Sequence, residues 1–283
     1  MTSDLDVIHQ KAVNKQECMK LKGSKYVQSR IRDDLFKECK AVLEEGKTVL
    51  FSGSGCQVHG LINYLNMSRV DCSNLITMDF VCHGVPSPGI WKGFVKELEA
   101  QMGKKVTSVN FRDKEKFGWT GCKETYYFEN GDNYSSSYWS DMFYQHCIIR
   151  ESCFNCPYTT PYRETDFTVG DYWGFEKVVD GYRDNKGLTL LIAHNDKARE
   201  IVGCLSEYLD VVETSLEDSL QPQLIRPTSK GIEYDLFWKR YIKNPQNTIQ
   251  KYFFPNYTRR AYLFLLQQTK EIVKRILKST KTT

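Results

Sequence analysis

The stretch TVLFSGSGCQ, residues 48–57, joins a short apolar run to a glycine-rich turn that ends in a cysteine. Residues 48–51 predict a buried strand, and residues 57–66 beyond the turn predict a helix. Strand, glycine-rich turn and helix make up a standard unit of α/β proteins, in which ligands bind at the carboxyl end of the strand. Cys56 lies at that end, near a helix amino terminus that would favour its thiolate.

A second unit of the same kind follows. The apolar run LITMDFVC, residues 75–82, predicts another strand, and residues 88–102 predict a helix that stops at Gly103. The second strand is apolar enough to be central in a mixed or parallel sheet. If the two strands are parallel neighbours, Cys56 and Cys82 lie at the same edge of the sheet.

The rest of the chain alternates between strand and helix patterns. Further strands are predicted over residues 105–112, 124–129, 134–139, 166–173 and 188–193. Further helices are predicted over residues 33–45, 141–149, 196–209, 231–242 and 259–278. Asn130-Gly131 between two of the strands is a strong hairpin signal. We therefore predict a mixed α/β (α+β) fold: a mixed β-sheet flanked by helices, with a β-hairpin insertion and a helical C-terminal tail. Residues 1–220 form the main domain in this prediction, and residues 221–283 form a helical extension.

The composition is ordinary for a globular protein, with 41% hydrophobic and 26% charged residues in a chain of 283. A net charge of +4 is too small to indicate a nucleic-acid partner. Apolar runs fall well short of the roughly 20 residues of a transmembrane helix, and no secretory signal is evident, so we expect a cytoplasmic protein. The basic segment 259–278 predicts a helix packed on the domain; the alternative is peripheral contact with a membrane surface or a partner.

Ten cysteines are the unusual feature of the composition. In a reducing compartment, clustered cysteines suggest metal binding or catalysis instead of disulfides. Cys153 and Cys156 form a CxxC that needs two further ligands, and Cys56 and Cys82 are the best candidates because both lie in loops at a sheet edge. Four thiolates suit a tetrahedral metal or an iron–sulfur cluster. On spacing alone, an iron–sulfur cluster, a zinc site and separate, unrelated thiols all stay open.

The segment GSKYVQS, residues 23–29, is a candidate phosphate contact. Its glycine, hydroxyls and lysine could present backbone N–H groups and a positive charge to an anion. An ordinary polar loop before a helix explains the same residues equally well.

Five motifs together resemble one known family. They are, in chain order, FSGSGCQVHGL, DFVCHGVPSP, VNFRDK, SCFNCPY and FTVGDYWG. This ordered set is similar to the coenzyme F420 hydrogenase/dehydrogenase beta subunit family, and the resemblance covers residues 21–191. Members of that family are flavo-iron–sulfur proteins of mixed α/β fold that bind FAD and a [4Fe–4S] cluster. The resemblance therefore implies an oxidoreductase that passes electrons between a cluster and a flavin.

The resemblance also assigns roles to residues. It implies that Cys56, Cys82, Cys153 and Cys156 hold the [4Fe–4S] cluster beside the flavin. It implies that two glycine-containing segments approach the FAD phosphate or ring, with the candidate contacts Gly23, Ser24, Lys25, Gln28, Ser29, Gly53, Ser54 and Gly55. Lys25, Arg112 and Lys114 are candidates for offsetting negative charge on the flavin or a substrate.

The chain also departs from the family pattern. Many relatives carry an N-terminal ferredoxin-like segment with repeated CxxCxxC runs, and this chain is expected to begin partway into the first domain. We therefore expect a ferredoxin-like electron donor or partner subunit. Relatives associated with surface-polysaccharide genes imply a small-molecule or glycan-precursor substrate in place of coenzyme F420. The alternative function is a non-catalytic, cluster- or zinc-stabilised remnant or binding module in glycan biosynthesis.

Overall fold

The computed structural model describes residues 1–182 and 184–254. Its strands are β1 (Val49–Ser54), β2 (Leu75–Phe80), β3 (Val106–Asn110), β4 (Glu124–Phe128), β5 (Asn133–Ser136), β6 (Phe167–Asp171) and β7 (Thr189–Ala193). They form a four-stranded sheet in the order β1-β2-β6-β7 and a three-stranded sheet in the order β3-β4-β5. In the larger sheet β1, β2 and β6 are parallel, and β7 runs antiparallel to β6. The mixed sheet and the α/β fold confirm the sequence prediction.

Helices cover both sheets. They are α1 (Lys15–Leu21), α2 (Leu35–Glu44), α3 (Gly55–Met67), α4 (Pro88–Met102), α5 (Lys114–Phe117), α6 (Tyr138–Tyr144), α7 (Asp196–Leu205), α8 (Leu216–Ser219), α9 (Pro222–Ile225), α10 (Tyr234–Lys243) and α11 (Pro245–Phe253). Among the described residues, no helix has the length and apolar character needed to cross a membrane.

The register of β1 and β2 decides where the two predicted cysteine loops meet. Ser54 at the end of β1 pairs with Phe80 at the end of β2, so the parallel strands finish level with each other. Cys56 follows the first strand and Cys82 the second, which places both at the same edge of the sheet. This confirms the arrangement expected from parallel neighbouring strands.

The largest hydrophobic core surrounds α4. Trp91 and Phe94 of this helix are buried and lie against Trp139, with ring centroids 4.9 and 5.4 Å away, and Phe94 also lies 5.0 Å from Phe253. Full burial of a side chain such as Phe94 contributes about 1.5–3 kcal/mol. The core therefore joins α4 to α6 and to α11 near the end of the described chain.

A smaller core joins α2 and α3 to β1. Leu35 and Leu43 of α2, with Val58 and Leu61 of α3, pack against Phe51 of β1. This packing fixes α3 on the sheet, and so fixes the direction from which its amino terminus approaches the end of β1.

One predicted strand ends early. The sequence predicts a strand over residues 134–139, whereas β5 stops at Ser136 and α6 begins at Tyr138. The buried carboxylate of Glu124 accepts hydrogen bonds from the backbone N–H groups of Trp139 and Ser140 (3.0 and 3.4 Å). These N–H groups belong to the first turn of α6, so their hydrogen bonds to the Glu124 side chain fix the residue at which the helix begins.

The helical extension predicted from residue 221 is described as far as residue 254. This part begins with the short helix α9, and the helix predicted over residues 231–242 is α10. Both α10 and α11 contribute side chains to the core around α4, through Phe237 and Ile249 for example. The helix predicted over residues 259–278 lies outside the described residues, and a separate unit over residues 221–283 stays a prediction.

Candidate functional site

Cys56 is the second residue of α3, and its side chain is exposed. The local sequence explains this position. Gln57 Oε1 accepts hydrogen bonds from the backbone N–H (3.2 Å) and the hydroxyl (3.0 Å) of Ser54, which fixes the start of the helix. Ser54 Oγ also lies 3.2 Å from Cys56 Sγ. The thiol thus stands at the positive end of a helix with a hydroxyl beside it.

Cys82 lies in the irregular segment that follows β2. The backbone N–H of Gly84 donates a hydrogen bond to Cys82 Sγ (3.4 Å). Gly84 has φ +106°, and a Cβ at this position would lie 2.5 Å from Ile149 Cγ2 and 3.3 Å from Cys153 Cβ. Only glycine therefore permits both this backbone conformation and this close approach of the Cys82 and Cys153 segments.

Cys153 lies within the 3₁₀ turn Glu151–Asn155, and Cys156 directly follows that turn. One backbone hydrogen bond connects the turn to the Cys82 segment, from the Arg150 N–H to the carbonyl of Val85 (3.0 Å). A second bond closes the turn itself, from the Cys153 N–H to the carbonyl of Arg150 (3.0 Å). The CxxC is thereby fastened beside the end of β2, although it is distant in sequence.

All four predicted cysteines come within electrostatic reach of one another. Burial, together with negative charge on Cys153, Cys56 and Cys156, raises the pKa of Cys82 to about 12. Burial likewise raises the pKa of Cys153 and of Cys156, and Cys56 adds to both effects. Four thiolates at this place would repel one another unless a cation lay among them. Within residues 1–182 and 184–254, however, no three His, Cys, Asp or Glu side chains are arranged to hold a single metal ion.

A second group of polar side chains adjoins the cysteines. We call Tyr26, His83, Arg112, Tyr144 and Asp171 the arginine patch. The hydroxyls of Tyr26 and Tyr144 lie 3.4 Å apart, and the His83 ring is 6.1 Å from that of Tyr144. Burial lowers the pKa of His83 to about 4, which leaves the imidazole neutral at pH 7. Because His83 is the residue directly after Cys82, the arginine patch adjoins the cysteine site.

Arg112 is the buried cation of this patch, with a side chain only 4% exposed. It pairs with Asp171, which also accepts a hydrogen bond from Lys114 Nζ (3.0 Å), and its guanidinium lies 5.4 Å above the Trp173 ring. Burial pushes the pKa of Asp171 upward, but Arg112 and Lys114 together hold it below its usual value. Two cations thus face one carboxylate, and Arg112 Nε has no hydrogen-bond partner among the described residues.

The predicted phosphate segment lies beside the start of α3. The Ser29 carbonyl accepts a hydrogen bond from Gln57 Nε2 (2.7 Å), and the Ser29 hydroxyl lies 2.8 Å from His9 Nδ1. The Gln28 backbone N–H donates to the carbonyl of Pro86 (3.2 Å). This segment therefore touches both cysteine loops.

Other members of the predicted flavin set are engaged by the protein itself. Lys25 Nζ donates to the carbonyls of Leu21, Lys22 and Gly23 (2.9 Å each), at the end of α1. Gly23 and Ser24 are exposed. A Cβ on Gly53 would lie 3.2 Å from His9 Nε2, and one on Gly55 would lie 2.9 Å from Tyr158 Cβ. The two glycines of the turn thus permit close packing of the protein's own side chains, and their contact with a flavin stays a prediction.

Sequence reasoning missed a buried ion pair at the same edge. Asp79 in β2 is fully buried and pairs with Arg163, whose side chain is 2% exposed (2.9 Å). A carboxylate within the apolar run LITMDFVC was the available signal, because such a group needs a partner when buried. Tyr26 and Tyr144 were also missed, since aromatic residues of this kind usually belong to a core.

Comparison with known protein families gives a match over the central part of the chain. A family model that describes the C terminus of the coenzyme F420 hydrogenase/dehydrogenase beta subunit matches residues 46–217. The matched region covers more than half of the chain and includes the four cysteines and most of the arginine patch, whereas residues 23–29 precede it. No curated protein matches the chain.

Proposed function

The chain belongs to the coenzyme F420 hydrogenase/dehydrogenase beta subunit family, and from that premise we propose that it is an oxidoreductase with a [4Fe–4S] cluster beside FAD. In this proposal electrons pass between the two groups to reduce a substrate. The observation that carries the proposal is the convergence of four cysteines from three segments at one sheet edge.

The donor set fits an iron–sulfur cluster. Cys56, Cys82, Cys153 and Cys156 would hold it, and soft thiolate ligands are those that such clusters use. Four ligands of a cluster bind four different irons, so their sulfurs stand farther apart than sulfurs around one ion. An arrangement that does not suit a single ion is therefore compatible with a cluster. The hydrogen bond from Gly84 N–H to Cys82 Sγ is of the kind that tunes cluster potentials.

The arginine patch supplies the properties that a flavin next to the cysteines requires. A flavin supplies hydride chemistry and a cluster supplies single-electron transfer, so the two must be close. Tyr26 and Tyr144 offer aromatic surfaces and hydroxyls. Arg112 and Lys114 outweigh the charge of Asp171, which favours an anionic ligand. Neutral His83 can form a hydrogen bond at this place without adding charge.

The partners follow from the same proposal. A ferredoxin-like donor or partner subunit would deliver electrons, and a small molecule or glycan precursor, in surface-polysaccharide synthesis for instance, would receive them. All ten cysteines are free thiols. Thiols of this number persist in a reducing compartment, which supports the proposal of a cytoplasmic protein.

The proposal is tested by purifying the full chain without oxygen. We expect flavin absorption bands, a broad iron–sulfur absorption that bleaches with dithionite, and about four irons per chain. Cys82→Ser should remove most of the iron. Cys72→Ser is the matched control, because Cys72 is also half-buried but precedes β2, at the opposite edge of the sheet.

Two results would contradict the proposal. A colourless protein that holds stoichiometric zinc would favour the non-catalytic, zinc-stabilised module instead. An iron content unaffected by Cys82→Ser would show that the ligand set is wrong.

A further inference from the structure

Asp79 and Arg163 form a buried ion pair that neither the cysteine site nor the arginine patch uses. Arg163 Nη1 lies 2.9 Å from Asp79 Oδ1, and the two side chains are 2% and 0% exposed. The same carboxylate oxygen accepts a hydrogen bond from Thr168 Oγ1 in β6 (2.6 Å). The pair thus joins β2 to β6 of the larger sheet, next to the strand ends that the cysteines follow.

Arg163 connects two of the cysteine segments. Its Nη1 donates to the carbonyl of Phe80, the last residue of β2, two positions before Cys82 (3.3 Å). Its Nε donates to the carbonyl of Thr160 in the loop that follows Cys156 (3.0 Å). One planar guanidinium therefore binds the end of β2 and the CxxC loop at the same time.

Asp79 reaches the third segment. Its other oxygen, Oδ2, lies 3.3 Å from the position of a Cβ on Gly55, the residue before Cys56. The carboxylate therefore packs directly under the first turn of α3. Through Gly55, Phe80 and Thr160, a single ion pair touches all three chain segments that carry the cysteines.

Stability alone does not explain this pair. Desolvating two charges is costly, and a buried ion pair is often no more stabilising than apolar side chains of the same volume. The hydrogen bonding of the pair is also incomplete, because Asp79 Oδ2 is buried without a hydrogen-bond partner among the described residues. A role other than stabilising the fold would account for two buried charges at this place.

We propose that the Asp79–Arg163 pair positions the cysteine segments, so that Cys56, Cys82 and Cys156 stand at the spacing of a cluster before any cofactor binds. The inference rests on the proposed function for its purpose, but the positioning itself is a property of the chain.

A neighbouring ion pair provides the control. Lys197 Nζ lies 2.9 Å from Asp166 Oδ1 and donates to the carbonyl of Leu75, the first residue of β2 (2.6 Å). This pair also fastens a side chain to the same strand, but at the edge opposite the cysteines. Lys197→Met therefore removes an ion pair from the same strand, although a more exposed one (Lys197 is 39% exposed), without touching a cysteine segment.

The experiment measures thiol spacing in the metal-free chain. Dibromobimane, a short bifunctional alkylating reagent, is allowed to cross-link the cysteines, and mass spectrometry of the peptides gives the ratio of the Cys82–Cys156 link to the Cys153–Cys156 link. The second link lies within one segment and serves as an internal reference. We expect Arg163→Met to lower this ratio about tenfold, as removal of groups that orient metal ligands weakens metal binding about 10- to 100-fold. Lys197→Met should leave the ratio unchanged.

Iron uptake on anaerobic reconstitution separates this inference from the proposed function. If the wild-type chain takes up no iron but Arg163→Met still lowers the cross-linking ratio, the proposed function is overturned and the positioning role stands. Wild-type uptake of iron, with an unchanged ratio and unchanged uptake in Arg163→Met, would overturn the positioning role alone. If Arg163→Met loses its far-ultraviolet circular dichroism and so does not fold, Asp79→Asn takes its place in the same experiment. The asparagine keeps the side-chain volume and the hydrogen bond from Thr168. An unchanged cross-linking ratio in Asp79→Asn would then overturn the inference.

Discussion

Glu124 accepts four hydrogen bonds in a place from which water is excluded. They come from the hydroxyls of Ser136 and Ser140 and from the backbone N–H groups of Trp139 and Ser140, at 2.6–3.4 Å. Burial nevertheless raises the pKa of this carboxyl above 4.5, against the effect of the hydrogen bonds. The folded protein therefore holds a proton on Glu124 at pH values where the unfolded chain has released it.

The sign of the resulting pH dependence follows from linkage. Below pH 4.5 both states are protonated and the contribution of Glu124 to stability is complete; it decreases as the pH rises from 4.5 through the higher folded pKa. Glu124→Gln cannot lose a proton, so its free energy of unfolding should improve relative to wild type between pH 4.5 and pH 7. Urea titrations at both pH values measure this. Glu129→Gln, on the exposed residue after the same strand, should show no such trend, and a parallel trend in both variants would contradict the assignment.

Gly84 allows a second test at the scale of one residue. An alanine here meets two penalties, about 1–2 kcal/mol for a positive φ and about 1–3 kcal/mol for overpacking against Ile149. Gly131 in the β4–β5 turn has φ +86°, but a Cβ added there would have no heavy atom of the described residues within 4 Å, so Gly131→Ala carries the first penalty alone. We expect urea unfolding to show a larger loss of stability for Gly84→Ala than for Gly131→Ala. Equal losses would show that the backbone at Gly84 does not pack tightly against Ile149.

The meeting of Cys56 and Cys82 at one edge of the sheet could be predicted from the sequence, while the buried ion pair beside them could not. Cys56 and Cys82 each follow a strand signal, and strand ends of parallel neighbours must meet at one edge. Asp79 was visible as a charge in an apolar strand. Its partner Arg163 was not, because nothing local marks which of many arginines will cross to a buried carboxylate that is distant in sequence.

At the scale of elements, the prediction succeeded where local signals are complete. Helix α4 begins at Pro88 and ends before Gly103, which adopts the left-handed conformation, as its sequence signals indicated. The predicted boundary between β5 and α6 was wrong, because the hydrogen bond that fixes the start of α6 is accepted by Glu124 in β4. Helix boundaries set by distant side chains are not encoded in the helix itself.

Packing between helices gives a prediction at this scale. A Cβ on Gly93 of α4 would lie 2.3 Å from Cδ1 of Ile249 in α11, and Ile249 is itself buried. Alanine favours a helix over glycine by about 0.5–1 kcal/mol, but forcing Ile249 aside costs about 1–3 kcal/mol. We therefore expect Gly93→Ala to be destabilising.

The matched variant is Gly60→Ala, in the middle of α3, where a Cβ would meet Phe36 at an ordinary 3.6 Å. This change should raise the free energy of unfolding by about 0.5–1 kcal/mol, since only the helix preference acts. Thermal unfolding of both variants decides the matter. A stabilising Gly93→Ala would mean that α11 does not pack closely on α4.

At the scale of the whole molecule, the cysteine edge is where separate parts of the chain meet. The larger sheet supplies Cys56 and Cys82, whereas Cys153 and Cys156 come after the three-stranded sheet and α6. The hydrogen bonds between the Cys82 and Cys153 segments are few and lie in irregular backbone. The junction should therefore gain stability from whatever the four thiols bind.

Removal of the proposed cluster tests this dependence. A cluster held by all four cysteines closes a loop of about a hundred residues, and a cross-link of that length stabilises by roughly 4–5 kcal/mol in the chain-entropy account. We expect removal of iron by oxidation and chelation to lower the unfolding temperature by about 5–10 °C. Calorimetry under anaerobic conditions measures the shift, and Cys72→Ser should show the same shift as wild type. Because Cys82→Ser lacks one ligand, its unfolding temperature should already be low and should respond little to chelation. An unfolding temperature that is the same with and without iron would mean that the junction is held by the protein alone.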